Sequence, residues 1–407
     1  MTHQNLPHSW ALGKGSLLPQ EEVLETGRKR KQLVIGIPRE LQEDEGRICL
    51  TPEAVEFIVG NGHQVMIETK AGAGANYSDT DYSECGGYIV NDHKEIFSRS
   101  DIIMKVSPPV IGEIEYMSGH QLLISALRYK IQEKNFFQQL MKKKITAISF
   151  EHLRSNDNSF PVIRSMSEIA GGAAILIAAE YLSNRNKGKG VMLGGISGIT
   201  PTEVVIIGAG AAAESAARAA LGLGAFLKVF DHSIDRLRRL QINLGQRLHT
   251  SIFHPRVITR SLKSADVVIG ALHLGSESPN FFITEEMVKV MKKGSVIVDL
   301  SIDYGGCIET SECRSLSSPV FTKHGVIHYC VPNITSRVSR TATIALSNIF
   351  APLILSIGES GGIKASLIED MGLRSGTYLY NGLLTNALIG SLFDIPSKDI
   401  DLLMAAF

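Results

Sequence analysis

Three charged side chains stand where the chain could act on a small anionic substrate. Asp303 follows a predicted strand in the sequence SIDYGG, Lys105 ends the apolar run 102–104, and Arg47 follows an acidic loop in EDEGRICL. An arginine fork and a nearby ammonium anchor a carboxylate and polarise a carbonyl, whereas a carboxylate orients water or a developing amine. The alternatives are a loop aspartate that holds the Gly305-Gly306 turn and a solvated lysine at a strand end. The position of Asp303 favours the functional interpretation, and both interpretations stay open for Arg47 and Lys105.

A glycine turn between a strand and a helix indicates a second site. The apolar run 204–207 is followed by Gly208 and Gly210, and a helix of small residues is predicted over 211–223. These glycines begin the G-x-G-x-x-G/A fingerprint of dinucleotide-binding turns, in which Ala213 takes the third position. The first glycine permits a tight turn, the second lets backbone N–H groups approach a pyrophosphate, and the helix N-terminus adds partial positive charge. Because the turn connects a strand to a helix, dinucleotide binding is favoured over a purely structural turn.

The acid at the end of the next strand indicates which dinucleotide is preferred. Asp231 follows the predicted strand 226–230 and can accept hydrogen bonds from the adenosine ribose. A carboxylate there repels the 2′-phosphate of NADP, so NAD is the predicted cofactor, while Arg236 nearby keeps NADP as the alternative. Asn333 follows the predicted strand 325–331 and is expected to contact the nicotinamide ribose.

Alternating strands and helices predict an α/β protein with two Rossmann-like parallel-sheet domains. Before the glycine turn, strands are predicted at 33–37, 64–68, 101–106, 122–127 and 146–150. From the turn onwards, a six-strand doubly wound sheet is expected, and five of its strands are predicted at 204–207, 226–230, 266–272, 295–300 and 325–331. A helix is predicted over 167–182, with Ser167 as its N-cap. We therefore predict an arm over 1–32, a substrate domain from 33–163 and 336–407, and a dinucleotide-binding domain inserted centrally over 164–335.

The composition argues against several classes of partner and ligand. The chain has 407 residues with 41 basic and 41 acidic side chains, and its formal charge of zero gives no electrostatic footprint for nucleic acid or an anionic membrane. Its longest apolar run, 344–357, contains Ser347, Asn348 and Pro352, which predicts a core helix with a break and no membrane span. The five cysteines form no C-x-x-C pair and the twelve histidines show no ligand spacing. We therefore expect free thiols, a cytoplasmic protein and no metal.

Several long segments resemble alanine dehydrogenase and occur in the same order. They are IGIPREL (35–41), DEGRICLTPEAV (44–55), GAGANYSDTDY (72–82), DIIMKVSPP (101–109), RSMSEIAG (164–171), GAGAAAESAARAALGLGA (208–225), VDLSIDYGGCIETS (298–311) and HYCVPN (328–333). The resemblance runs from about residue 33 to residue 357. The N-terminal component of proton-translocating NAD(P) transhydrogenase is similar to a smaller extent. The resemblance implies a substrate domain built from both chain ends around a central NAD domain, and a homo-hexamer.

The resemblance also implies a reaction and assigns roles to residues. The reaction is the reversible oxidative deamination of L-alanine to pyruvate and ammonium with NAD. By position, Arg47 is similar to the arginine that grips the substrate carboxylate, Lys105 to the lysine on the pyruvate oxygen, and Asp303 to the catalytic aspartate. The cofactor contacts implied in the same way are Ser167, Asp231 and Asn333.

One position departs from the family pattern. Where the family carries a catalytic histidine, this chain reads LISALRY and has Arg128. Arginine stays protonated and cannot act as a general base, but it can bind a carboxylate or a carbonyl oxygen. Proton transfer would then fall to Asp303, Lys105 or water, and losing a general acid–base group typically lowers a rate by about 10²–10⁴.

This departure keeps two alternatives to an alanine dehydrogenase open. One is a transhydrogenase-type component, which exchanges hydride between bound NAD(P) cofactors and requires a membrane partner; the substrate residues fit it less well. The other is an NAD(H)-binding protein that has lost turnover through the change to Arg128. The sequence leaves open whether Arg128 or its neighbour Tyr129 faces the site.

Overall fold

The computed structural model describes residues 31–272 and 282–405, which form two α/β units, each built on one sheet. The arm predicted over residues 1–32 lies outside the described residues, apart from Lys31 and Gln32. The strands are β1 (Val34–Ile37), β2 (Gln64–Glu68), β3 (Tyr88–Val90), β4 (Ile102–Met104), β5 (Leu122–Ser125), β6 (Thr146–Ser149), β7 (Glu203–Ile207), β8 (Phe226–Phe230), β9 (His249–Ser251), β10 (Val267–Gly270), β11 (Val296–Asp299), β12 (Val320–Lys323), β13 (Val326–Tyr329), β14 (Thr377–Tyr380) and β15 (Leu383–Leu384).

The helices alternate with these strands along most of the chain. They are α1 (Pro52–Gly60), α2 (Asp79–Glu84), α3 (His93–Arg99), α4 (Ile111–Tyr116), α5 (Lys134–Lys142), α6 (Pro161–Leu182), α7 (Ala211–Gly222), α8 (Ile234–Leu244), α9 (Pro255–Ser264), α10 (Glu285–Lys289), α11 (Ser339–Glu359), α12 (Ile363–Glu369), α13 (Met371–Gly376), α14 (Ala387–Phe393) and α15 (Ile400–Ala405).

The first unit is a mainly parallel sheet with eight strands among the described residues. Its spatial order is β15-β14-β6-β5-β4-β1-β2-β3. The strands β1 to β6 run parallel to their neighbours, whereas β14 and β15 come from the other end of the chain and pair antiparallel at one edge. Both ends of the described chain therefore contribute to one sheet. We call it the substrate unit.

The second unit, the cofactor unit, has the strand order β12-β13-β11-β10-β7-β8-β9. Six of these strands are parallel, and β12 pairs antiparallel with β13 across a turn whose residues His324 and Gly325 have φ values of 55° and 79°. The sheet was predicted to have six strands, five of which were named from the sequence, but it has seven among the described residues, so the predicted number is wrong. Neither β9 nor β12 was predicted, because both are short and incompletely buried and so lack the apolar run of a buried strand.

The central strand β7 places the glycine turn. Val204 and Ile206 pack into the apolar cluster that contains α6 and α7, whereas Val205 and Ile207 pack into the cluster on the opposite face, with α9. Successive side chains of a strand point to opposite faces, so a strand covered on both faces is apolar at each position. The following residue, Gly208, consequently lies at the carboxyl end of a central strand, where open α/β sheets bind ligands.

The two longest helices correct two details of the sequence analysis. The helix α6 begins at Pro161 after the extended residue Phe160, so Ser167 lies in its second turn and is not its N-cap. Proline at the first helical position was the true start signal. The helix α11 continues through Pro352, so the predicted break is also wrong.

By length and composition alone, Pro161–Leu182 and Ile334–Glu359 could each cross a membrane. A buried core helix meets the same criterion, and 44% and 50% of the two apolar windows are buried inside the fold. This is weak support for a membrane segment.

Candidate active site

The first glycine of the fingerprint is required by the protein's own packing. Gly208 has a φ of 113°, and a Cβ atom there would lie 2.3 Å from the carbonyl oxygen of Ala271. Its N–H donates to the carbonyl of Phe230 at 2.6 Å, which joins the turn to the end of β8. A side chain at this position would therefore strain the backbone and collide with a neighbouring loop.

The second glycine is free of such packing. Gly210 precedes α7 with an extended backbone, and a Cβ atom there would meet no protein atom within 4 Å. Glycine at this position leaves open space directly before a helix N-terminus, which is the place where a pyrophosphate binds in this type of turn. Ala213 is fully buried in the first turns of α7, against α6. The residues of this turn therefore fit a dinucleotide.

Asp231 lies beside the glycine turn and is fully buried. One carboxylate oxygen accepts the N–H of Ala209 and the other accepts the N–H of Ser233, both at 2.8 Å. The carboxylate thus fixes the turn to the end of β8, and the oxygens' further lone pairs are what a ribose hydroxyl would use. Arg236 is exposed on α8, and Ser167 is half-buried within α6; among the described residues, neither side chain hydrogen-bonds to the glycine turn.

In the substrate unit, Arg47 is held by a carboxylate that the sequence analysis did not single out. Its Nε and Nη2 donate to the two oxygens of Glu45 at 2.8 and 2.6 Å, and its Nη1 donates to the hydroxyl of Thr335 at 3.0 Å. Both charged side chains are buried, at 7% and 0% exposure. Burial alone would raise the pKa of Glu45, but the charge and hydrogen bonds of Arg47 outweigh it and hold that pKa below its usual value.

Asn333 connects this pair to Asp303 of the cofactor unit. Its side-chain N–H₂ donates to Glu45 at 2.7 Å, and its backbone N–H donates to Asp303 at 3.0 and 3.3 Å. Its side-chain oxygen accepts from the hydroxyl of Thr335 at 3.2 Å, and its φ of 55° turns the backbone N–H towards Asp303. Three predicted residues, Arg47, Asp303 and Asn333, are therefore brought together around Glu45.

Asp303 reaches solvent but lies between charged groups of both units. Loss of surrounding water raises the pKa of its carboxyl above the usual value, and the positive charges of Arg128 and Arg47 oppose this rise. A carboxyl with a raised pKa at the end of a parallel strand can exchange a proton with a bound substrate.

Lys105 is 1% exposed and its ammonium is neutralised by carboxylates. It donates to Glu113 at 2.7 Å and lies 3.7 Å from Glu40. Burial raises the pKa of Glu40 to about 7, and the charge of Lys105 partly opposes this. On the other side of Glu113, the Nε2 atom of His93 lies 3.2 Å from the Glu113 carboxylate, and the Nδ1 atom of His93 lies 2.7 Å from the carboxylate of Glu68. The lysine is therefore the inner end of a row of ionisable side chains.

Arg128, and not Tyr129, faces the site. Its backbone has a φ of 43° and its N–H donates to the carboxylate of Glu151 at 3.2 Å, while the ring of Tyr129 turns away and packs edge-on to Tyr378. The half-buried side chain of Arg128 lines a cavity of about 540 Å³ together with Lys105. Its charge is also the main one that lowers the pKa of Asp303.

Comparison with known proteins identifies the family. Residues 36–170 match the profile described as "Alanine dehydrogenase/PNT, N-terminal domain", and residues 174–387 match "Alanine dehydrogenase/PNT, C-terminal domain". The chain belongs to the alanine dehydrogenase/PNT family. It is similar to alanine dehydrogenase of Staphylococcus saprophyticus, with 38% identity over 91% of this chain and 99% of the relative.

Two solved structures extend this comparison. An L-alanine dehydrogenase has a TM-score of 0.83 and 35% identity, over 89% of this chain and all of that protein. A transhydrogenase from Sinorhizobium meliloti has a TM-score of 0.74 over 87% of this chain and 99% of its own, but its 20% identity supports the fold alone. The predicted family, α/β fold class, NAD cofactor and NAD-dependent oxidoreductase class are thereby confirmed.

Sequence reasoning missed the carboxylates that position the predicted cations of this alanine dehydrogenase family member. Glu45 stands two residues before Arg47 in an acidic loop, and that spacing was an available signal. The others come from separate elements of the substrate unit and carry no local signal: Glu40, Glu113 and Glu151.

Proposed function

We propose that this chain catalyses the reversible NAD-dependent oxidative deamination of L-alanine to pyruvate and ammonium. The observation that carries the proposal is the contact through Asn333, which brings Asp303 of the cofactor unit to the Glu45–Arg47 pair of the substrate unit. The relatives named alanine dehydrogenase, which cover about nine-tenths of this chain, support the same reaction.

The substrate would be held by the cations and acted on by Asp303. Arg47 and Lys105 are placed to meet the carboxylate and the carbonyl oxygen of a 2-oxo acid, because each is buried and held in one position by a partner carboxylate, with which the substrate competes. NAD bound at Gly208 and Gly210 supplies the hydride acceptor for deamination and the hydride donor for the reverse direction. The buried surroundings exclude much of the water that would weaken these charge interactions.

Proton transfer is assigned to Asp303 because Arg128 cannot accept a proton. The raised pKa of Asp303 makes its carboxyl a better base than an ordinary aspartate, so it can take a proton from the attacking water and then return one to the leaving amine. Arg128 would act by its positive charge, which favours the ionised form of Asp303 and attracts an anionic substrate.

We further propose a homo-hexamer and a cytoplasmic location. Three large apolar side chains within residues 192–199, Met192, Ile196 and Ile199, are 54–66% exposed, as in a subunit interface. The free thiols, including the exposed Cys313, suit a reducing compartment. Light scattering after size-exclusion chromatography should give about six times the 44.2 kDa chain mass; a monomer would contradict the hexamer.

The function is tested by NADH consumption with pyruvate and ammonium. Turnover should require both substrates. The Asp303→Asn variant should lower kcat by about 10²–10⁴ without weakening NADH binding more than about threefold. Asp401→Asn, which removes a surface carboxylate paired with Arg374 on another element, is the matched control and should retain activity. NADH binding without turnover of any 2-oxo acid would overturn the dehydrogenase and leave an NAD(H)-binding protein.

A further inference from the structure

Arg128 lies on the wall of the cavity of about 540 Å³ that Lys105 also lines. Among the described residues, its guanidinium makes no hydrogen bond and no ion pair within 4 Å, although its backbone N–H is held by Glu151. Lys105, on the same cavity wall, is already neutralised by Glu113 at 2.7 Å and by Glu40 at 3.7 Å. A half-buried arginine that lacks a partner side chain gains most from an anionic ligand, because a planar guanidinium binds a carboxylate with two parallel hydrogen bonds.

The cavity is also much larger than a three-carbon acid requires. Its volume of about 540 Å³ lies well within the range of about 300–1,000 Å³ for small-molecule sites. Its wall combines the two cations with amide side chains, Gln42, Gln132 and Asn135, and with apolar groups such as Phe136. Glu133 is its acidic lining residue and is exposed to water, whereas the other carboxylates that act on Arg128, Asp303 and Glu151, do not line the cavity.

The backbone conformation directs the side chain of Arg128 towards the cavity. A non-glycine residue with φ 43° and ψ 50° is in the left-handed region, which is unfavourable for a residue with a side chain and must be stabilised by its surroundings. The hydrogen bond to Glu151 and the 3-10 turn Tyr129–Ile131 that follows supply this stabilisation. The side chain is therefore placed on the cavity wall by the fold itself.

We propose that Arg128 binds a second carboxylate, so that the substrates of this chain include 2-oxo and 2-amino dicarboxylic acids of four or five carbons. This rests on the proposed deamination and extends its substrate class. In the reductive direction, a 2-oxo dicarboxylate, ammonium, NADH and one proton give the 2-amino dicarboxylate, NAD and water. The hydride is transferred from NADH to the 2-carbon, ammonium provides the nitrogen, and the carbonyl oxygen leaves as water.

The test compares acids of equal length that differ in the second carboxylate. The probes are 2-oxoglutarate against 2-oxopentanoate and oxaloacetate against 2-oxobutanoate, each with ammonium and NADH. A charge-assisted hydrogen-bonded pair should favour each dicarboxylate in kcat/KM by roughly tenfold or more. Arg128→Gln should bring this ratio close to one. Lys130→Gln removes the same charge from an exposed position two residues away and should keep the ratio.

The outcomes separate this proposal from the proposed function. If the wild type turns over the monocarboxylates and its kcat/KM for each dicarboxylate exceeds that for the matched monocarboxylate by less than about twofold, the role of Arg128 is overturned and the dehydrogenase assignment remains. If no acid is turned over, the dehydrogenase assignment fails, and calorimetric titration of the NADH complex with 2-oxoglutarate and 2-oxopentanoate tests Arg128 directly. Tighter dicarboxylate binding that Arg128→Gln abolishes would support the second-carboxylate site, and equal binding of the two acids would overturn it.

Discussion

The Glu45→Gln substitution removes the charge that neutralises Arg47 inside the protein. Glu45 accepts hydrogen bonds from two guanidinium nitrogens at 2.8 and 2.6 Å and from the side chain of Asn333 at 2.7 Å. Arg47 is only 7% exposed, so water cannot replace the lost charge. Breaking a buried ion pair on one side costs about 3–5 kcal/mol. Because glutamine retains one oxygen for these donors, we expect the free energy of unfolding to fall by about 3 kcal/mol.

Urea denaturation of the wild type and variant measures this difference. Glu168→Gln is the matched control, because Glu168 pairs with Arg164 at 3.0 Å but the two side chains are 54% and 63% exposed. An exposed pair contributes about 0–1 kcal/mol, so the control should stay within that range. The pKa of Glu45 is lowered in the folded protein, so its stabilisation is present above the ordinary value of 4.5 and is lost as the pH falls through the folded pKa. The difference in the free energy of unfolding between the wild type and Glu45→Gln should therefore become smaller at acid pH.

The Glu45→Gln variant should also change how the protein binds its substrate. With Glu45 neutral, Arg47 is left as an uncompensated cation, so an anionic 2-oxo acid should bind more tightly and restore part of the lost stability. We expect a lower KM for pyruvate and a larger stabilisation by pyruvate than in the wild type. A loss of stability no larger than that of Glu168→Gln would refute the claim that Arg47 depends on this buried carboxylate. An unchanged pyruvate effect would refute its role towards substrate.

Two further predictions concern the cofactor turn and the lysine. Gly210→Ala should leave the thermal stability unchanged or slightly raised, because the added Cβ meets no protein atom within 4 Å. The same change should weaken NADH binding by about tenfold or more, because the Cβ occupies the space of the pyrophosphate. An unchanged affinity for NADH would contradict pyrophosphate binding at Gly210. Because the pKa of Glu40 is about 7, Glu40 becomes anionic above neutrality and competes for Lys105. The KM for a 2-oxo acid should therefore rise between about pH 6 and about pH 8 in the wild type and stay flatter in Glu40→Gln, as initial-rate measurements across this range would show.

Local patterns were enough to predict the cofactor turn. The buried run of β7, the glycines at 208 and 210, and the acid after β8 lie within one short segment, and their geometry follows from strand burial and backbone conformation. The type and rough extent of most strands were predictable for the same reason. Five strands were not predicted: β3, β9, β12, β14 and β15. Of these, β3, β9 and β12 are short and partly exposed, and such a strand is specified by its neighbour and not by an apolar run.

The substrate side of the site was decided by tertiary structure. Residue types marked Arg47, Lys105 and Asp303 as candidates, but the sequence did not pair them with Glu45 and Glu113 or join them through Asn333. Glu45 and Asn333 are 288 residues apart, and their contact exists only because the tertiary fold brings the loop after β1 next to the residues that follow β13. The direction of Arg128 likewise depends on a left-handed backbone held by Glu151. Short-range pattern determines which groups can react, whereas the packing of distant elements determines which charges remain unneutralised and free to bind a substrate.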